Sequence, residues 1–98
     1  MRIISEKKLR EFWQQQPEAK NAMREWIKTV RLADWSHFSD VRKTFNHVDI
    51  YGGCSIFDVG GNKYRIIAKS AYGIKVVYIR RVLTHRQYDE KKWQADCK

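Results

Sequence analysis

Acidic side chains are absent from residues 59–88, thirty residues that carry seven lysines and arginines. With no local carboxylate to neutralise it, that charge calls for a polyanion or an acidic partner. Long apolar runs are absent too. Nothing approaches the ~18 residues a membrane helix needs, and Met1-Arg2-Ile3-Ile4-Ser5-Glu6 turns polar too early for an export signal. No membrane association is expected, and the location read from the sequence is cytoplasmic. Cysteine is scarce: Cys54 and Cys97 stand alone, without CxxC spacing, so free thiols in a reducing compartment are the expectation. His37, His47 and His85 form neither an HxxxH nor a Cys/His pattern, and neither a metal nor another cofactor is expected.

What is present is charge of one sign. The 98 residues hold 20 Lys+Arg against 11 Asp+Glu, a net +9. Residues 1–49 contribute ten basic and seven acidic side chains (+3), residues 50–98 ten and four (+6), so one face formed by the second half is the expected binding face. A composition 43% hydrophobic supports a single domain, residues 1–98, with one modest core. Aromatics and cations interleave on strand-like sequence in the acid-free stretch, a combination that holds a phosphate backbone together with unstacked bases; RNA is the polyanion it suggests.

The organisation is α+β. After a short strand within residues 1–4, Ser5 is placed to cap a helix carrying Leu9, Phe12 and Trp13 as far as Gln16. Pro17 suits the first turn of a second helix, on which Ala19, Ala22, Met23, Trp26, Ile27 and Val30 make one stripe. Trp13 and Trp26 read as packing residues, and the two helices as an antiparallel pair. Ser36 or Ser39 is placed to cap a short helix bearing Val41 and Phe45. From Val48 the period becomes two. Residues 48–51, 54–59, 63–70 and 74–83 read as four antiparallel strands divided by Gly52-Gly53, Gly60-Gly61-Asn62 and a turn containing Gly73. In the third, Tyr64, Ile66 and Ala68 face one way and Lys63, Arg65 and Lys69 the other. In the fourth, periodicity leaves open whether Arg80 or Arg81 faces the groove. Thr84-His85-Arg86-Gln87 has the form of a capping box, starting a final helix with His85 and Tyr88 one turn apart.

The words Phe57-Asp58-Val59-Gly60-Gly61-Asn62-Lys63-Tyr64-Arg65 and Tyr78-Ile79-Arg80-Arg81-Val82-Leu83-Thr84-His85-Arg86-Gln87-Tyr88-Asp89 resemble the HigB-type branch of the RelE-like toxins. The resemblance runs over nearly the whole chain, and its most specific parts are the Gly-Gly-Asn-x-x-Arg turn and the Thr-His-x-x-Tyr-Asp ending. It implies a RelE-like fold, an N-terminal helical pair on a four-stranded, mostly antiparallel sheet with a short C-terminal helix. It also implies a metal-independent endoribonuclease that cuts mRNA, commonly on the ribosome, and is silenced by a HigA-type helix-turn-helix antitoxin. By that resemblance Arg65 matches the strand arginine at the scissile phosphate, and His85 and Tyr88 the C-terminal catalytic positions. RelE carries two lysines on the strand corresponding to residues 54–59, where this chain has Ser55, Phe57 and Asp58.

The chemistry can be rebuilt from the residues. RNA cleavage without metal needs the 2′-hydroxyl deprotonated as it attacks phosphorus, the phosphorane oxyanion neutralised and the departing 5′-oxygen protonated. Arg65, supported by Arg80 or Arg81, is suited to the oxyanion. His85 is suited to moving a proton near neutrality and Tyr88 to donating to an alkoxide, with the acid and base labels left open. Lys63, Lys69 and Arg86 are suited to flanking phosphates. Two other readings use the same residues: a noncatalytic RNA- or DNA-binding module with Tyr64, Lys63 and Lys69 as a stacking platform, and a protein whose basic face serves only an acidic partner.

Overall fold

The computed structural model describes residues 1–98. Strand β1 (Arg2–Ile4) leads into α1 (Lys7–Gln15), and a 3-10 turn at Pro17–Ala19 opens α2 (Lys20–Leu32). A short α3 (Phe38–Thr44) precedes the hairpins β2 (Asp49–Tyr51), β3 (Cys54–Val59), β4 (Tyr64–Ala71) and β5 (Val76–Thr84). The chain closes with α4 (His85–Asp89) and a 3-10 strap, Lys92–Cys97. The strands form one five-stranded sheet in the order β1-β5-β4-β3-β2. The fold class is the expected α+β, with one more strand in the sheet than the four antiparallel ones. The first residues pair with β5, in parallel, matching Arg2, Ile3 and Ile4 to Val76, Val77 and Tyr78.

Alternation along the strands sends apolar side chains to both faces of the sheet. Phe57, Val59, Tyr64, Ile66, Ala68, Val77 and Ile79 pack against Leu9, against Ala19 of the 3-10 turn and against the α2 stripe of Met23, Trp26, Ile27 and Val30. Burial of each large member of that stripe is worth about 1.5–3 kcal/mol, which decides the docking of α2. Trp26 is buried and meets Phe57 edge-on, while Trp13 is half-buried at the rim of this core, so both tryptophans serve packing. On the other face Cys54, Ile56, Ile67 and Leu83 are covered by Trp93 and Cys97 of the strap.

Three local expectations are overturned. Ser5 does not cap α1: its backbone is left-handed (φ 74°), whereas a capping residue needs extended dihedrals, and Glu6 precedes the helix without a side-chain cap. Neither Ser36 nor Ser39 caps α3; His37 holds that position in extended conformation, and Ser36 N–H instead donates to Asp40 Oδ2 at 2.9 Å. The cysteines are not free thiols. Cys54 and Cys97 form a disulfide between Cα atoms 5.3 Å apart, because the strap brings residue 97 back over the Gly52-Gly53 turn. Their pairing removes the argument for a reducing compartment that rested on free thiols. No helix is long and apolar enough to cross a membrane.

Candidate active site

Arg65 stands in the middle of the strap-covered face, on β4 opposite Leu83 of β5 and Asp58 of β3. It is only 9% exposed. The Gly-Gly-Asn turn explains how a buried cation is accommodated there: Arg65 Nη2 donates to Asn62 Oδ1 at 2.6 Å, and Nη1 lies within 3.3 Å of Asn62 O, Tyr64 O and Asp58 Oδ1. The left-handed conformation of Asn62 (φ 76°) forms part of this turn. Both terminal nitrogens are thus engaged within the protein, which fixes the orientation of the guanidinium. The guanidinium carbon lies 4.8 Å from the centre of the Tyr88 ring, a cation–π distance.

Tyr88 arrives there through the capping box. Gln87 N–H donates to Thr84 Oγ1 at 3.2 Å and Thr84 N–H to Gln87 Oε1 at 3.0 Å, and His85 N–H is fixed by Lys63 O at 2.9 Å. These bonds tie the start of α4 to the end of the β4 hairpin. His85 remains half exposed, with Nδ1 2.9 Å from Asp89 Oδ2. Asp89 ends the five-residue helix and faces the histidine.

The flanking cations are dispersed. A bulge between Ile67 and Ala68 pairs Ile67 with Arg81 and Ala68 with Ile79, which leaves Arg80 as the extra residue. The groove ambiguity is thereby resolved: Arg81 shares the face of Arg65, whereas Arg80 is set apart by the bulge and offers its carbonyl to Lys8 Nζ at 2.9 Å. Arg81 is paired with Asp96 of the strap, Nε to Oδ2 at 2.5 Å. Lys63 and Arg86 are exposed around the hairpin and α4, and Lys69 is half-buried farther along β4, opposite Tyr78. Tyr64 lies on the helix-packed face, buried against Phe12, and burial pushes its hydroxyl above the ordinary 10.0. It cannot serve as the stacking platform that the noncatalytic module reading required.

Sequence reasoning missed the clamp formed by Asn62, for which the Gly-Gly-Asn-x-x-Arg spacing was the available signal, and the strap residues Trp93 and Asp96. The hydrogen bond from Arg81, aided by the positive charges of Arg81, Arg80 and Lys8, holds the Asp96 carboxyl below its ordinary 3.8. The folded state therefore keeps this carboxylate charged at lower pH than the unfolded chain. Its stabilising contribution is present above pH 3.8 and lost as pH falls through the lowered value. Asp96→Asn is expected to lower Tm near neutrality and to converge with the parent protein in acid; an undiminished gap at about pH 2 would exclude this carboxylate as the cause.

A family model described as the RelE-like toxic component of a toxin–antitoxin system matches residues 19–91. The chain belongs to the HigB toxin family. Among curated relatives, the mRNA interferase toxin HigB of Escherichia coli K12 is 26% identical over 92 residues, covering 91% of this chain and 88% of the relative. The mRNA interferase HigB of Shigella flexneri shows the same values, and that of Escherichia coli O6:H1 is 26% identical over 93 residues, covering 92% and 90%. As a HigB-family chain this is the toxin of a toxin–antitoxin module, and the family implies an antitoxin partner and an RNA substrate.

Proposed function

We propose that the chain is an endoribonuclease that cuts mRNA on the ribosome without a metal ion, acts in the cytoplasm, and is silenced by a HigA-type antitoxin with a helix-turn-helix domain. The observation that carries the reading is the meeting of Arg65 and Tyr88 at 4.8 Å beside the half-exposed His85, on elements joined by the His85–Lys63 backbone bond. Arg65 and Tyr88, 23 positions apart in the chain, thereby meet on one small surface. Relatives named mRNA interferases support the same reading.

In this mechanism His85 and Tyr88 handle the two protons: one of them relieves the 2′-hydroxyl and the other supplies the 5′-oxygen. Arg65 holds positive charge beneath the developing phosphorane and beside the phenol ring, where exclusion of water strengthens it. Its internal hydrogen bonds keep that charge in place before substrate arrives, so little reorganisation is needed during reaction. Lys63, Arg86 and Arg80, all exposed, supply long-range attraction for RNA, and Lys69 and Arg81 extend the basic face.

Expression of residues 1–98 alone is expected to arrest bacterial growth and shorten translated mRNAs, with growth restored by coexpression of the cognate antitoxin. Purified protein should cut mRNA in the presence of a chelator, more rapidly with ribosomes than without. Growing cells with intact transcripts, despite abundant soluble protein, would refute the reading in favour of a basic protein that serves only a partner.

A further inference from the structure

Tyr88 sits on a helix of five residues, too short to fix its own side chain. The capping box and the apolar cluster of the sheet bring it to Arg65, and the strap adds two further contacts to it. The Trp93 indole stacks on the Tyr88 ring, centres 5.2 Å apart and planes 10° apart, and Trp93 Nε1 donates to Tyr88 O at 3.0 Å. One side chain thus restrains both the ring and the backbone of Tyr88. Trp93 is itself 3% exposed and meets the Tyr51 ring edge-on at 5.3 Å.

The strap has a shaped seat. Gly53 N–H donates to Cys97 O at 2.9 Å, and a Cβ on Gly52, whose φ is 56°, would lie 2.0 Å from that same oxygen. The disulfide to Cys54, within the sheet's second apolar cluster, and the Asp96–Arg81 pair hold the strap to the sheet. This is a construction for holding Trp93 in one place, at the residue that the cleavage reading makes reactive.

We propose that Trp93 is a positioning residue for RNA cleavage, holding the Tyr88 ring over the Arg65 guanidinium so that the phenol reaches the scissile phosphate. The inference rests on the cleavage reading above. It predicts that Trp93 acts on the chemical step through Tyr88, whereas a purely structural tryptophan would affect activity in proportion to folding, whatever stands at position 88.

Trp93→Leu keeps apolar volume but loses the stack and the N–H donor. Among folded molecules it should slow single-turnover cleavage on saturating ribosomes by about 10- to 100-fold, while half-saturating ribosome concentration moves by less than about 3-fold. Trp93→Phe restores an aromatic face and should recover most of the rate. In a Tyr88→Ala background the leucine change should cost less than about 3-fold, because the ring it positions is gone. If the leucine protein does not fold, Trp93→Phe carries the test, its smaller loss disappearing in the Tyr88→Ala background. Equal losses in both backgrounds, or a folded leucine variant with parental rate, would overturn the proposal. A parent protein that leaves RNA intact would overturn the cleavage reading as well.

Discussion

Arg65→Ala is expected to lower single-turnover cleavage by about 100-fold or more, the scale of losing a preorganised charge at a phosphorane. The buried setting adds a second consequence. Removing the guanidinium takes the charged donor from Asp58, Asn62 and the Tyr64 carbonyl and deprives Tyr88 of its cation, so a stability loss of about 1–3 kcal/mol should accompany the rate loss. Rates must therefore be measured well below the variant's Tm. Arg65→Lys separates the two effects: it keeps the charge but cannot span Asn62 and Asp58 as a planar fork does, and should recover activity only in part. Lys69→Ala, on the same strand but outside this cluster, should change the chemical step far less. Equal impairment by Arg65→Ala and Lys69→Ala would remove Arg65 from transition-state stabilisation.

His85→Ala and Tyr88→Phe should each slow the same single-turnover reaction by roughly 100-fold or more, and the double mutant should be less impaired than the product of the two. The coupling is expected because the two side chains share α4, one held toward Asp89 and the other stacked on Trp93, and act on one phosphate. Ribosome binding should barely change, since neither side chain contributes much to the long-range positive field. Tyr88→Phe is the sharper probe. It keeps the ring that stacks on Trp93 and covers Arg65, so packing survives and only the hydroxyl is lost. A fully active phenylalanine variant would leave proton transfer to His85 with another partner.

Local signals in the sequence were legible where the structure is made locally. Strand β3 lies where the alternation of residues 54–59 put it, the α2 stripe is buried as its spacing required, and the Thr84–Gln87 capping box forms with both bonds. The alternation of β4 also holds, with Tyr64, Ile66 and Ala68 toward the helices and Arg65 and Ile67 on the other side, but that second side is not simply basic: Ile67 belongs to the apolar cluster under the strap. What was illegible depends on contacts distant in sequence. The parallel pairing of β1 with β5 joins residues more than seventy positions apart, and no alternation within three residues announces a partner. The choice between Arg80 and Arg81 was decided by a bulge, which shifts register without leaving a mark in the hydrophobic pattern. The strap's role needed the path of the chain after α4, where Trp93 and Cys97 stand in what looks like an ordinary charged tail.

The Cys54–Cys97 bond also turns one part of the polypeptide into a covalent ring. Its 43-residue span encloses Lys63, Arg65, Lys69, Arg80, Arg81, His85, Arg86 and Tyr88, while α1, α2 and α3 hang outside as a single arm. In the chain-entropy account such a closure restricts the unfolded ensemble by about 4 kcal/mol. All of that restriction falls on the segment bearing the site. A single backbone break at the exposed Gly61-Asn62 turn would open the ring yet leave both pieces joined by sulfur, so the site could lose its continuous chain without losing its stoichiometry.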